Sequence, residues 1–301
     1  MRYILVLIAW CCMVLSGNAE SPPVVPAPEI TVAGPEQSYV ADEMGFLRVR
    51  AIRGPDWEIE KVKNPEGVWI AELRSRGAKV MEFADCGERE EWMRFMLWPI
   101  DAADPDLLLV LRYSGGVDGS DALDIIHLKN NFRTLLQSAA EFKFHQVTDL
   151  NGDAWPEVLG SSRHYSYILD LPRELSPFPT VILSYRPDAK KYQCQNHRFP
   201  DLAREKAEIH RKEFEQNQQA AGTFAYDRWN QDSRQALASL VSWILEMCYR
   251  GESEVAWAYL HEFTKPETAN LVQPVIAERL ATEPYYQEVL RTQARDSATQ
   301  N

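Results

Sequence analysis

The sequence carries none of the short motifs that mark the common enzyme classes. It has no Gly-x-Ser-x-Gly nucleophile elbow, no His-Glu-x-x-His zinc helix and no glycine-rich phosphate loop. Positive charge is also in short supply, because 32 lysines and arginines are outnumbered by 44 aspartates and glutamates, leaving a formal net charge of −12. An acidic surface repels phosphate backbones, so nucleic acid is not an expected partner. These absences favour a non-catalytic protein.

Cysteine is scarce, and two of the five cysteines lie in the apolar run at the amino terminus. The other three, Cys86, Cys194 and Cys248, have no spacing that resembles a zinc site. In an oxidising compartment they predict one disulfide and one leftover thiol. Cys86 and Cys194 fall in predicted strand and turn segments and form the candidate pair, whereas Cys248 lies on an apolar helical stripe and is predicted to be a buried thiol. Three free thiols are the open alternative.

Long apolar runs are missing except at residues 4–15. This run of about twelve residues is short for a bilayer, which takes roughly twenty. A basic residue precedes it, and the small residues Gly17 and Ala19 follow it, as in a cleavable signal peptide over residues 1–19. The proline-rich residues 20–36 predict an extended spacer. We therefore expect an exported protein, periplasmic or extracellular, with no membrane span after cleavage.

Residues 37–200 have the pattern of a β domain. Short apolar or alternating segments are separated by turn signals such as Asn64-Pro65-Glu66-Gly67. Many short strands with frequent turns favour an antiparallel meander or sandwich over a parallel sheet. Strands are expected at residues 46–52, 68–73, 92–97, 107–111, 124–128, 142–147, 158–159 and 180–185.

The carboxyl-terminal third changes to a helical period. Apolar stripes predict helices over residues 201–292, followed by a disordered tail at 293–301. Gly251 is placed as a helix C-cap and Pro266 as a helix stop. The fold class predicted for the whole chain is α+β, a β domain followed by an all-helical segment packed on it. Individual helices are expected at residues 201–221, 237–248, 255–263, 271–281 and 284–292.

One motif carries recognisable chemistry, the acidic segment from residue 149 to residue 157. Asp149, Asn151, Asp153 and Glu157 place side-chain oxygens at loop positions 1, 3, 5 and 9, and Trp155 offers a backbone carbonyl at position 7. Calcium takes six to eight oxygen ligands in flexible geometry. The segment therefore predicts a metal site made of these five residues. A tight Asx-stabilised turn without metal is the open alternative.

The string Asp-x-Asn-Gly-Asp-x-x-Pro-Glu resembles the calcium loop of FG-GAP and related VCBS repeats. These repeats build integrin-type β-propellers and occur in many bacterial exported proteins. The resemblance implies Ca²⁺ as the bound ion, although Ala154 replaces the usual glycine and Glu157 the usual aspartate. Residues 100–107 have the same order of turn, acidic residues and apolar strand and are interpreted as a decayed copy. The β region is too short for a closed propeller, which needs at least four blades.

Two functions follow from these patterns. The first is an exported, non-catalytic, envelope-associated binding or structural module whose partner is a protein or an envelope polymer. The alternative is a hydrolase of envelope polymers that uses carboxylates near the 149–157 loop, together with His145 or His164. No sequence feature indicates the oligomeric state.

Overall fold

The computed structural model of the chain describes residues 45–84, 93–100, 106–113, 121–129, 131–138, 141–217 and 224–299. Three antiparallel sheets of four strands precede a series of five α-helices, which confirms the predicted α+β class. The predicted signal peptide, the proline-rich spacer and Cys86 lie outside the described residues. Within those ranges, no helix is both long enough and apolar enough to cross a bilayer.

Each sheet is a meander in which every strand pairs with its neighbour in the chain. Sheet 1 consists of β1 (Ala51–Arg53), β2 (Trp57–Lys63), β3 (Trp69–Ser75) and β4 (Ala78–Phe83). Sheet 2 consists of β5 (Met93–Trp98), β6 (Leu107–Tyr113), β7 (Asp121–His127) and β8 (Arg133–Gln137). Sheet 3 consists of β9 (Phe142–Thr148), β10 (Glu157–Ser162), β11 (Thr180–Arg186) and β12 (Lys191–Cys194).

The chain forms two compact units, and sheets 1 and 2 make up the first. This unit takes in the described residues up to Ser138 together with Asn151–Trp155. Both sheets contribute to one apolar core, because alternate residues of their strands face the same side. Fully buried members of that core include Ile59, Leu73, Phe95, Leu108, Val110 and Ile126.

The second unit contains sheet 3 and the helices. Asn230 caps the second helix through its Oδ1, which accepts a hydrogen bond from the Ser233 backbone N–H at 3.1 Å. Gly251 follows that helix with φ +86°, a left-handed conformation that glycine adopts without strain, as predicted for the C-cap. The helices are α1 (Pro200–Asn217), α2 (Gln231–Tyr249), α3 (Ser253–Phe263), α4 (Pro266–Thr282) and α5 (Pro284–Thr299).

Helix α5 is bonded to the edge strand β12. The Glu288 carboxylate accepts a hydrogen bond from the Cys194 backbone N–H at 2.8 Å, and the Thr292 hydroxyl donates to the Cys194 carbonyl at 3.1 Å. These side chains supply hydrogen-bond partners to the free edge of sheet 3, a common way of covering a strand edge. Sheet 3 therefore shares its unit with the helices, although the sequence analysis grouped its strands with the preceding ones.

The cysteines depart from the predicted pairing. Cys194 is a buried free thiol whose Sγ donates to Asn196 Oδ1 at 3.3 Å, whereas the prediction paired it with Cys86, which lies outside the described residues. The turn after β12 brings the Asn196 acceptor onto the thiol and satisfies it locally. Cys248 is also free and buried within α2, which confirms the prediction for that residue.

Two helix boundaries bear on the predictions from the sequence. Helix α3 ends at Phe263, before Pro266, as predicted, and Pro266 itself begins α4, where its missing N–H needs no partner. The predicted disordered tail is wrong as far as Thr299, because α5 continues through it. Asp296 fixes this last part of α5 by ion pairs with Arg186 at 2.7 Å and Arg198 at 3.1 Å.

Candidate functional site

The predicted metal loop joins β9 to β10 as the tip of a hairpin. Thr148 and Glu157 pair at the mouth of the loop. Gly152 and Ala154 have φ angles of +77° and +71°, so alternate residues of the tip are left-handed. Ala154 therefore has a positive φ at the position where the similar loops have glycine. This conformation is strained for alanine but not for glycine.

The side chains of the loop hold its own backbone. Asn151 Oδ1 accepts a hydrogen bond from the Asp153 N–H at 2.9 Å, and Asp153 Oδ1 accepts one from the Trp155 N–H at 2.8 Å. These are two successive Asx turns. The carboxylate of Glu157 is buried and accepts a hydrogen bond from the Leu150 N–H at 2.7 Å. Three of the five predicted ligands thus stabilise the turn by accepting hydrogen bonds from its backbone.

Two aromatic contacts hold the tip within the first unit. The indole Nε1 of Trp98 donates a hydrogen bond to the Ala154 carbonyl at 3.0 Å. The ring of Trp155 lies 6.0 Å from the ring of His127, with the two planes inclined by 43°. Neither contact was predicted, because Trp98 and His127 are far from the loop in sequence.

The fit of the loop to a cation depends on whether its side-chain oxygens converge. Among the residues that the structure describes, no group of three or more His, Cys, Asp or Glu side chains converges on a common point. In the loop itself, oxygens of Asn151, Asp153 and Glu157 accept backbone hydrogen bonds instead. This arrangement is that of a self-supporting turn. Calcium binding by the loop stays a prediction of the sequence resemblance.

A second hairpin repeats the closing bond of the loop. The Asp106 carboxylate accepts a hydrogen bond from the Ile100 N–H at 2.9 Å, as Glu157 does from Leu150. The paired residues at the mouths, Trp98 with Leu107 and Thr148 with Glu157, are separated by the same number of positions. In both sheets 2 and 3 this acidic hairpin joins the first strand to the second. The centre of the proposed decayed copy, residues 101–105, lies outside the described ranges.

The two histidines considered for catalysis are bonded to neighbouring elements. His164 contacts Glu141 Oε2 through Nδ1 at 2.6 Å and Thr282 Oγ1 through Nε2 at 3.1 Å. His145 contacts Ser161 Oγ through Nε2 at 3.0 Å. Burial lowers the pKa of His145, and the positive charges of Lys143, Lys206 and Arg163 lower it further. His145 is therefore expected to be neutral at pH 7.

A buried polar cluster lies next to His164 and was not predicted from the sequence. The Ser162 hydroxyl donates to Glu283 Oε1 at 2.8 Å, and Glu283 Oε2 accepts from the Tyr286 N–H at 2.5 Å. Burial raises the pKa of Glu283 against the opposing effect of these donors. Ser162, Glu283, Tyr165 and Tyr249 are each at most 1% exposed, so the cluster joins β10 to the helices and offers no surface to a substrate.

No protein-family model, no curated protein and no solved structure matches this chain.

Proposed function

We propose that this chain is an exported, non-catalytic, envelope-associated module that binds a protein or an envelope polymer. The proposal is supported mainly by one observation: the polar side chains that could have formed a catalytic site are committed to structural bonds. His164 is bonded through both ring nitrogens, and Ser162 and Glu283 are bonded to each other out of reach of solvent. The acidic loop acts in this proposal as a rigid turn at the tip of a hairpin.

Export is proposed from the amino-terminal sequence. When the full chain is expressed in a bacterial host with a periplasm, we expect it in the periplasmic or extracellular fraction. The intact mass should correspond to a chain that begins at Glu20, because Gly17 and Ala19 satisfy the small-residue rule of signal cleavage. An Ala19→Arg variant serves as the control and should keep its full mass. An unprocessed wild-type chain in the cytoplasm would refute export.

The absence of catalysis is tested on isolated envelope polymers. The mature chain should co-sediment with its partner fraction without releasing soluble products above the level of a heat-denatured sample. Product release that is lost in His164→Ala but kept in His261→Ala would establish the hydrolase alternative. His261 is a matched control because it is an exposed residue of α3 that is hydrogen-bonded to Gln273 at 2.8 Å.

A further inference from the structure

A cleft of about 340 Å³ opens in the first unit between the edge strand β4 and one face of sheet 2. Met81 and Glu82 of β4 line it together with Arg112 and Asp124 of sheet 2. Ile126, which belongs to the apolar core shared by the two sheets, also lines it. The cleft therefore continues the core, but with charged side chains where apolar ones would be expected.

Arg112 and Asp124 form a salt bridge that uses only one of the two carboxylate oxygens of Asp124. Nε and Nη2 of Arg112 both donate to Oδ2 of Asp124, at 3.0 and 2.6 Å, and Nη1 donates to the Ala84 carbonyl. The side chains are only 11% and 5% exposed. A buried ion pair can usually be replaced by apolar side chains without loss of stability. Packing alone therefore does not account for this pair.

Three polar groups of the cleft have no hydrogen-bond partner among the residues that the structure describes. These groups are Asp124 Oδ1, the Thr134 hydroxyl and the Gln137 carboxamide. The carboxylate oxygen only accepts, whereas the hydroxyl and the carboxamide both donate and accept. Burial raises the pKa of Asp124 against the lowering effect of Arg112.

We propose that this cleft binds a small, neutral, polyhydroxylated ligand of one or two sugar rings. Hydroxyl groups both donate and accept, which matches Asp124 Oδ1, Thr134 and Gln137, and the C–H face of a sugar ring can pack against the half-buried Met81. A neutral ligand fits because both carboxylates of the lining are already paired, Asp124 with Arg112 and Glu82 with Lys79. The volume lies at the lower end of the range for small-molecule sites. The site is independent of export and of the 149–157 loop.

The test uses the mature chain and measures binding by ligand-observed NMR and calorimetry. The probes are glucose, N-acetylglucosamine and maltose, with glucosamine and glucuronate as charged comparators. We expect saturable binding that favours the neutral sugars. Thr134→Val and Gln137→Leu should each weaken it about three- to tenfold, the usual effect of one lost hydrogen bond. Both positions are exposed, so neither change should unfold the protein.

Thr148→Val is the matched control, because it makes the same chemical change on β9 of the second unit and should leave the affinity unchanged. The inference is overturned if no neutral sugar binds saturably. It is also overturned if a charged comparator binds more tightly than glucose, or if both cleft variants bind as well as the control.

Discussion

Glu246 couples the folding of the second unit to pH. The residue is 2% exposed, and Oε1 accepts hydrogen bonds from the backbone N–H and the hydroxyl of Thr180, both at 2.9 Å. Among the described residues, none supplies a hydrogen-bond partner to Oε2. Burial raises the pKa of Glu246 to about 7, although Thr180 and the positive charges of Lys206 and Arg250 act in the opposite direction.

We expect Glu246→Gln to flatten the pH dependence of stability between about pH 4.5 and 7. The folded-state pKa of about 7 lies above the ordinary value of 4.5. Glu246 therefore contributes stability that is complete below pH 4.5 and is lost as the pH rises through 7. Glutamine keeps an acceptor for Thr180 but cannot titrate. Urea unfolding of both proteins across this range should show the wild type losing a few kcal/mol relative to the variant.

Glu254→Gln supplies the control for that measurement. Glu254 is an exposed residue of α3, and its replacement should leave the pH profile of the wild type unchanged. Histidines with lowered pKa values, such as His145, add an opposite slope to every variant alike, so the difference between the curves isolates Glu246. Parallel curves for Glu246→Gln and the wild type would contradict the assignment.

Ala154 is a position where a single substitution should stabilise the loop. Its φ of +71° costs an alanine about 1–2 kcal/mol, whereas glycine is free of that strain but loses about 0.5–1 kcal/mol of chain entropy. We expect Ala154→Gly to raise the free energy of unfolding by up to about 1 kcal/mol. Gly152→Ala, at φ +77°, is the reciprocal change and should lower it. Equal denaturation midpoints for the two variants would show that these two residues do not have positive φ angles in the folded loop.

Among the structural elements, the 149–157 hairpin tip is expected to be stable without an ion. Its oxygens already accept backbone hydrogen bonds, so on the alternative of a turn without metal the melting temperature should not respond to millimolar calcium, to magnesium or to a chelator. A ligand that binds only the folded state must raise the melting temperature. A rise specific to calcium, lost in Asp153→Ala but kept in Asp188→Ala, would therefore establish the calcium site that the sequence resembles. Asp188 pairs with Arg186 outside the loop.

Elements with regular apolar periods were predictable from sequence, whereas strands β2, β4, β8 and β12 were not predicted. Helix α2 and its Gly251 cap, and the apolar strand β6, follow local patterns. Strand β2 was missed because Lys61 occupies a core-facing position, where it is 2% exposed and lies 5.5 Å from the centre of the Phe95 ring. Strand β4 was missed because it is a mostly exposed edge strand, so its residues show no alternation.

In the candidate sites, contacts between residues close in sequence were predictable, whereas contacts between distant residues were not. The turn at Asn151 and Asp153 was foreseeable, because its hydrogen bonds join residues two positions apart. The bond from Ser162 to Glu283 joins residues 121 positions apart, and no local pattern indicates it. The Arg112–Asp124 cleft depends on the way two sheets meet, which periodicity within one strand does not specify.

At the scale of the whole molecule, the two described thiols should be inert in the native state. Burial raises the pKa of Cys248 to about 12 and that of Cys194 well above its ordinary value, so almost no thiolate forms at pH 8. We expect neither residue to be alkylated until denaturant is added, whereupon both should react. Mass mapping of non-reduced peptides provides the decisive check, since a bridge that includes Cys194 would be incompatible with the free thiol.

The meander order of the three sheets has a consequence for how the chain folds. Every strand pairs with its sequence neighbour, so the sheets have low contact order and each hairpin closes a short loop at little entropic cost. The bonds of α5 instead connect distant parts of the chain, as Asp296 does with Arg186. The hairpins are therefore expected to belong to the folding nucleus and α5 to dock after the transition state. Weakening the Asp296 contacts should accelerate unfolding and leave the rate of folding nearly unchanged.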